Sequence, residues 1–369
     1  MIRRRNLLLA SVAFCGLSSA FIIHNSDQDL FEVIVVGGGS AGLAAAVSAA
    51  ERGLKVLVIE KRHRVGLNTH SDRGLFASSQ SPTGEPSFND SVENHYKNSF
   101  EAGGSLADPS VLMSFVSQAP ETLKWLSSLG MSFDDSAINS NSLWRRCYQP
   151  LQTGYTETLY REAVRLGVKF VFNAALIDLK ENKGRIDSVE VAQKNGQRKI
   201  YTATLGVVLC SGGFGANLKM VAELAPKYAG LESDNEPGAS GEVLLIAKKK
   251  GAATSGLDRI LCLPRPSGAF KSQGYLHLDI SKFIFINSQG KRFVSEDALR
   301  PEITEAFFRE GFKPIYELAD DNAVKDYQMD IQRDLWRGIE HGTVFKGKTL
   351  GELAAKLSMP EENLITTVA

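Results

Sequence analysis

The sequence predicts an α/β fold, with a parallel central sheet carrying an antiparallel β-meander, followed by a smaller α+β unit. Three observations carry this expectation. Val33-Ile34-Val35-Val36 is a β-branched run that suits a parallel strand buried on both faces. A glycine turn, an alanine-rich helix from Leu43 to Glu51 and a second apolar strand, Lys55–Ile59, follow it directly, and Glu60 stands at the tip of that strand. Further on, short apolar-alternating segments are separated by turns at Asn182–Gly184 and at Asn195-Gly196, as a meander requires.

Taken in order, the chain opens on a segment that reads as a targeting signal over residues 1–20. Arg3-Arg4-Arg5 precedes an apolar run from Leu7 to Leu17, and Ser18 and Ala20 supply the small residues of a cleavage site. Arg4-Arg5-Asn6-Leu7-Leu8 is similar to a twin-arginine export pattern. This predicts an exported, periplasmic protein. The other reading is an uncleaved anchor, because Leu7–Ile23 is uncharged over about the 17-residue lower limit for spanning a bilayer. Membrane contact is expected only through that N-terminus.

Next comes the stretch on which the rest of the fold is hung. Gly37, Gly39 and Gly42 have the G-x-G-x-x-G spacing. The first glycine turns the chain, the second lets backbone approach a pyrophosphate, and the third lets helix and strand pack closely. The N-terminal amides of the helix would face that diphosphate, and Glu60 stands where an acid accepts adenosine ribose hydroxyls. Strand, turn, helix, strand and acid in this order are the fingerprint of a Rossmann-like dinucleotide site.

A polar, glycine-punctuated segment runs from Lys61 to Pro86. Two amphipathic helices are expected within Phe88–Gly130, the second opened by Asp108-Pro109 and facing inward through Trp125, Leu126 and Leu129. A further helix is expected within Pro150–Leu166 and ends at Gly167. Val168–Phe172 then reads as a strand, and Leu176–Leu179 and Ile186–Gln193 as the meander covering one face of the sheet. Thr204–Cys210 reads as another buried apolar strand, leading into Ser211-Gly212-Gly213-Phe214. From about Gly256 the chain becomes irregular. A hairpin is expected with arms Phe283–Asn287 and Lys291–Val294, and the remainder is helix-rich and charged. These changes of texture divide the chain into a first domain over 30–255 and a second over 256–369.

Composition narrows the function. A length of 369 residues is enough for two domains at roughly 100–200 residues each. The formal net charge is zero, with no basic stripe interleaved with aromatics, so nucleic acid is not an expected partner. The four cysteines form no C-x-x-C or C-x-x-C-H, which excludes an attached c-type haem and gives no metal site.

Four separated motifs together resemble the fumarate reductase and succinate dehydrogenase flavoproteins, whose relatives include periplasmic flavocytochrome-c-type fumarate reductases, urocanate reductases and ketosteroid dehydrogenases. They are VVGGGSAG through VIEK (Val35–Lys61), Gly66-Leu67-Asn68-Thr69 to Gly74, CSGGFGAN (Cys210–Asn217) with Pro237–Glu242 downstream, and GKRFVSEDALR (Gly290–Arg300). The resemblance implies a Rossmann-like FAD-binding domain and a capping domain that is incomplete, because the chain stops at Ala369 before the family's remaining substrate residues and return segment. It implies non-covalent FAD, since Asn68 stands where respiratory members attach flavin to a histidine, and His70 reads as a polar loop residue.

The family's roles carry over position by position. Gly37, Gly39, Ser40, Ala41 and Gly42 would meet the diphosphate, and Glu60 the adenosine ribose, with Lys61 beside it. Asn68, Thr69 and Gly74 would approach the diphosphate and flavin, and Leu176 would touch adenine through its backbone. Gly212, Gly213 and Glu242 would also sit against the cofactor. Two further readings stay open, a plain strand–helix turn for Gly212-Gly213 and a helix N-terminal acid for Glu242.

Arg300 matches the family's active-site arginine, a proton donor to an activated double bond. Arginine is a weak acid, with a pKa above about 12, so donation needs a relay. Here the relay stretch reads Tyr275-Leu276-His277-Leu278-Asp279. His277 and Asp279 are either its substitutes or a solvent-facing strand-edge pair. Arg300 could equally clamp a substrate carboxylate in bidentate fashion, or simply start a helix beside Pro301. Cys262-Leu263 occupies the place of the family's dicarboxylate histidine, which points away from a four-carbon dicarboxylate.

The expected activity is reduction or desaturation of a C–C bond next to a carbonyl or carboxylate, on an unsaturated acid or enone, with a separate electron-transfer partner. The alternative is a truncated, catalytically inactive flavin-binding remnant. An NAD-dependent dehydrogenase fits the glycine turn but not the CSGGF and GKRF segments.

Overall fold

The computed structural model describes residues 29–66, 74–85, 90–135, 145–151, 154–262, 282–311, 313–325 and 329–369. The expected export segment, Asn68, Thr69, His70, Leu263, His277 and Asp279 lie outside the described residues. No helix among the described residues is long and apolar enough to cross a membrane.

The centre of the fold is β1 (Leu30–Val36), followed by α1 (Ser40–Ala50) and β2 (Val56–Ile59). β2 pairs parallel to β1 from Val33↔Val56 to Val36↔Ile59. α1 starts at Ser40 rather than at Leu43, because Gly39 serves as its N-cap and the turn glycines run straight into the first helical turn.

β3 (Phe76–Ala77), α2 (Val92–Ala102), α3 (Pro109–Ser128) and β4 (Cys147–Tyr148) follow. The two helices are the pair expected within Phe88–Gly130, and each starts on a side-chain cap. Ser91 Oγ accepts from the Asn94 N–H at 3.1 Å, and Asp108 Oδ1 accepts from the N–H groups of Ser110 at 2.8 Å and Val111 at 3.1 Å. α4 (Tyr155–Arg165) then leads into β5 (Lys169–Val171), which lies parallel on the far side of β2.

β6 (Ala174–Asn182), β7 (Arg185–Gln193) and β8 (Arg198–Leu209) form the meander. Its first turn uses two left-handed residues, Lys183 at φ 51° and Gly184 at φ 80°, the geometry whose twist suits a tight hairpin. The sheet order is β5-β2-β1-β8-β7-β6. One face is packed by Leu43 and Val47 of α1, Leu123 of α3 and Leu159 of α4. On the other, Leu176, Leu179, Val189 and Val191 join Ile34, Val36, Leu57 and Ile59 in one core, so the meander covers that face.

Two expectations need correction here. Thr204–Cys210 is not a separate buried strand. It is the distal part of β8, whose first half pairs with β7 and which runs on beside β1. Pairing with β7 stops at Thr202, so beyond it β8 has, among the described residues, a strand on one side only, and Leu205 and Leu209 are 57% and 42% exposed.

The other correction concerns the later part of the chain. After α5 (Leu218–Leu224), a 3-10 turn at Pro226–Tyr228 and α6 (Glu242–Lys249), the chain forms β9 (Ile284–Asn287), α7 (Arg300–Arg309), β10 (Ile315–Leu318), α8 (Asp321–Lys325), α9 (Met329–His341), α10 (Leu350–Leu357) and α11 (Glu361–Val368). β9 does turn at Gly290, but Lys291–Val294 makes only one bridge back to it, Ile286↔Arg292. The reason is the buried Glu296, whose Oε1 takes the Phe285 N–H at 2.7 Å and binds the Arg292 guanidinium, displacing a second ladder rung. The strand partner of β9 is β10, antiparallel from Ile315↔Asn287 to Leu318↔Ile284.

These later elements build cores of their own. One is formed around Phe283, Phe285 and Leu335, and the other around Ile286, Ala354, Met359 and Leu364. α7 meets the earlier part of the chain through a Lys227–Glu305 ion pair and a Tyr228–Phe308 ring contact at 5.9 Å.

Candidate functional site

The turn between β1 and α1 is held from every side by backbone. Gly37 has φ 110°, and its N–H donates to Ile59 O at 2.8 Å. A Cβ on Gly37 would stand 2.4 Å from Cys210 O, because β8 leaves the sheet directly beside it. A Cβ on Gly42 would stand 1.9 Å from Gly37 O, so the third glycine is required by helix–strand contact alone. Among the described residues no side chain caps α1, so the first amides of α1 can receive an anion at this end.

Glu60 reaches back across that turn. Its Oε2 accepts from the Gly38 N–H at 2.7 Å and its Oε1 from the Arg62 N–H at 2.8 Å. The carboxylate is thus fixed at the tip of β2, within reach of whatever occupies the turn. β6 starts at the same place, because the Ala174 N–H donates to Glu60 O at 3.1 Å. That brings Leu176, buried and paired with Val191, to the Glu60 side of the sheet.

Lys61 and Glu242 form the second polar group. Lys61 Nζ binds Glu242 Oε1 and, at 2.9 Å, Ser240 Oγ, while Ser240 Oγ donates to Glu242 Oε2 at 2.5 Å. Burial pushes the Glu242 carboxyl up, but the hydrogen bonds from Lys61 and Ser240 outweigh it and hold the group below the ordinary carboxylate range. Glu242 is also the first residue of α6, behind Gly241 at φ 77°, so it complements the helix dipole as well. A Cβ on Gly241 would come within 2.7 Å of Phe214 Cβ, which explains the glycine there.

Gly212, at φ 75°, and Gly213 follow the exit of β8, whose Cys210 N–H donates to Val36 O at 2.8 Å. Among the described residues nothing lies within 4 Å of a Cβ on either glycine, so open space borders the turn on this side. Gly74 O accepts from Tyr155 OH at 2.7 Å. Arg300 is the first residue of α7, whose Ile303 and Phe307 pack into the Phe283 core.

The structure therefore joins Gly37, Gly39, Ser40, Ala41, Gly42 and Glu60 in one turn, with Lys61, Leu176 and Glu242 at its flank. Arg300 sits on a helix of a separate core. Sequence reading missed three contributors: Ser240, Tyr155 and Thr156. Ser240 had a signal, since it lies inside a quoted motif, but its bridging position depends on how that loop folds against Lys61.

The residues fit a dinucleotide. Two hydroxyls around the turn, Ser40 Oγ and Thr156 Oγ1, are buried and have no hydrogen-bond partner among the described residues, a state that normally costs about 1–3 kcal/mol. With the uncapped amides of α1, and with no described residue within 4 Å of a Cβ on Gly212 or Gly213, they make a polar cradle suited to a phosphate-bearing ligand.

Comparison with known proteins agrees with this geometry. The family model described as "FAD binding domain" matches residues 32–329. The chain is 27% identical to an NADH:acrylate oxidoreductase of Vibrio harveyi, across 93% of this chain and 41% of that protein. It is 28% identical to a fumarate reductase (cytochrome) of Shewanella frigidimarina, across 82% of this chain and 54% of that protein. The chain thus spans about half the length of these relatives. The fold matches a solved flavocytochrome c3 fumarate reductase in its open conformation, with a TM-score of 0.65 and 24% identity over 92% of this chain and 61% of that one. It also matches a 3-ketosteroid delta1-dehydrogenase from Sterolibacterium denitrificans, with a TM-score of 0.73 and 19% identity over 92% and 78%. The chain belongs to the FAD binding domain family, within the fumarate reductase flavoproteins that its motifs resemble, and its cofactor is FAD.

Proposed function

We propose that this chain is the flavin-binding part of an oxidoreductase that reduces, or in reverse desaturates, a C–C bond next to a carbonyl or carboxylate. The observation that carries the reading is the extent of the family match, which runs from the glycine turn past Arg300 to residue 329. Relatives named for acrylate and fumarate reduction support the substrate class, including an acrylate reductase flavoprotein subunit of Shewanella woodyi at 30% identity. In this reading residues 30–255 hold the cofactor and 256–369 contribute to the cap. Substrates are small unsaturated acids or enones, and electrons arrive from a separate redox partner. The arginine-rich, apolar N-terminus supports export to the periplasm, the relative with a cytochrome in its name being consistent with such a partner.

Bound FAD supplies hydride chemistry at such a bond. This chain's own residues do the rest. The α1 amides, Ser40 and Glu60 anchor the adenosine diphosphate end. Lys61, paired with Glu242, leaves the flank of the site nearly neutral, so it does not compete with the α1 amides for the phosphates. Arg300, at the start of α7, is placed on a rigid helix end from which a guanidinium can bind a carboxylate through two parallel hydrogen bonds. Such a clamp orients the double bond and draws charge toward the carboxylate as the bond is reduced.

The test is anaerobic. The full chain is reconstituted with FAD, the flavin is photoreduced, and reoxidation is followed after adding acrylate, fumarate, urocanate or a cyclic enone. Reoxidation by one of these, abolished in Arg300→Met with flavin content retained, is the expected result. A reduced flavin that no unsaturated acceptor reoxidises would overturn the reading for this chain.

A further inference from the structure

A second helix points at the same place as α1. β2 and β5 are parallel neighbours, α1 precedes β2, and α4 precedes β5 through the short connection after Arg165. Each helix must run antiparallel to the strand it feeds. The N-termini of α1 and α4 therefore lie together at the C-terminal edge of the sheet, and the two helices pack on each other through Leu43, Val47, Leu159 and Ala163.

The first turn of α4 has the features of a donor site. Its N-cap, Gly154, makes no side-chain cap, and a Cβ there would meet nothing within 4 Å among the described residues. Thr156 lies in this first turn. It is 5% exposed, and its Oγ1 has no hydrogen-bond partner among the described residues. The side chain faces Gly66, which is itself tied to the glycine turn. A Cβ on Gly66 would fall 2.5 Å from Thr156 Oγ1, and the Gly66 N–H donates to Gly38 O at 2.9 Å. Tyr155 fixes the helix end by donating to Gly74 O.

We propose that Thr156 and the N-terminus of α4 form a second phosphate-binding element, which donates to the diphosphate of FAD from beside α1. Two converging helix N-termini would share the charge of the diphosphate, and the hydroxyl would gain in the complex the partner it lacks without it. The element rests on FAD being the ligand and is independent of the reaction proposed above. The same arrangement explains why residue 66 is glycine, since any side chain would displace Thr156.

The experiment measures two quantities that this role moves in opposite directions. Flavin-stripped full-length protein is titrated calorimetrically with FAD and with ADP at low salt, and the apoprotein melting temperature is recorded. Thr156→Val keeps the shape and removes the hydroxyl. It should weaken FAD and ADP by about tenfold or more, as loss of a hydrogen bond to a charged group does, while the apoprotein melts no lower than wild type. Thr156→Ser should restore both affinities. Gly154→Asp places a favoured cap at an ordinary backbone conformation, φ −79° and ψ 161°. It should raise apoprotein stability yet weaken both ligands, because its carboxylate opposes the phosphates.

An apoprotein destabilised by Thr156→Val, with affinities unchanged, would mean that the hydroxyl serves the polypeptide, and would overturn the proposal. Weakened FAD with unchanged ADP would overturn it too, since the contact would then lie beyond the diphosphate. Should Thr156→Val fail to fold, Gly154→Asp decides alone: unchanged ADP affinity refutes the element. A wild-type protein that binds neither ligand would instead refute the cofactor assignment.

Discussion

β2 and β8 flank β1 on its two sides, are both parallel to it and are both rich in β-branched and leucine residues, yet they end in opposite environments. Val56, Leu57, Val58 and Ile59 of β2 are at most 2% exposed. Leu205, Val208 and Leu209 of β8 are 57%, 37% and 42% exposed. The difference does not come from composition. β2 has β5 on its outer edge, α1 on one face and the meander on the other. The distal half of β8 has β1 on one edge and, among the described residues, no ladder partner on the other once β7 departs at Thr202. An apolar run thus states that a strand is fit for burial, while only its neighbours decide whether it is buried.

The most severe way to break the ordered side is at the turn that joins it to α1. Gly42→Ala would place a methyl 1.9 Å from Gly37 O, where neither backbone can move without losing the α1–β1 contact. The expected cost is on the order of 4 kcal/mol or more, with loss of FAD binding. Gly213→Ala, beside the exit of β8, meets nothing within 4 Å among the described residues and should leave apoprotein stability unchanged. Thermal melts of the two apoproteins, with flavin content after reconstitution, check the contrast. Equal melts would mean the turn is not where the helix is fixed.

The next effect compares the strands themselves. Leu57→Ala removes a side chain that is 1% exposed and should cost about 2–5 kcal/mol in chemical denaturation. Leu205→Ala should cost less than about 0.5 kcal/mol. A large penalty at Leu205 would show that something covers this strand in solution.

The third concerns the elements that cover the β2 side. Arg146, just before β4, donates to Asp90 at 3.1 Å and to Asn98 at 2.8 Å, and His95 of α2 is buried beside this group with Nδ1 unpartnered among the described residues. Burial, aided by the Arg146 charge, lowers the His95 pKa from 6.5 to about 4. The folded protein therefore holds His95 neutral while the unfolded chain takes up a proton below pH 6.5. Stability from this residue is complete above about pH 6.5 and is lost as pH falls toward 4, by up to about 3 kcal/mol. Asp90 acts in the other direction in acid, because burial raises its pKa despite Arg146. The diagnostic is thus the difference between wild type and His95→Gln. Urea unfolding from pH 4 to 7 should show the variant with the shallower slope between 4 and 6.5; identical slopes would mean His95 is not held neutral.

What the sequence made legible follows the same division. Gly37 to Glu60 is a local unit, in which residues close in the chain satisfy one another, so its order and its spacing could be read directly. The cap at Asp108 and the turn at Lys183-Gly184 were legible for the same reason. Thr156, Ser240 and the Arg146–Asp90 pair were not, because their meaning lies in partners far along the chain. Glu296 shows this most clearly: one buried carboxylate takes a backbone N–H from β9 and ends the hairpin expected between Phe283–Asn287 and Lys291–Val294.

The smallest expected effect on stability is the sharpest test of the open side. Leu205 and Leu209 lie on one face of a strand whose outer edge has no ladder partner beyond Thr202 among the described residues, which is the arrangement that invites pairing with another chain. Replacing both by lysine puts charge on that edge without removing buried contacts. The unfolding free energy should stay within about 0.5 kcal/mol of wild type. Concentration-dependent light scattering, in contrast, should fall, since edge lysines are how natural sheets discourage such pairing. A double variant that loses more than about 1 kcal/mol would show that β8 is covered as β2 is. A stable variant with undiminished scattering would place self-association elsewhere on the surface.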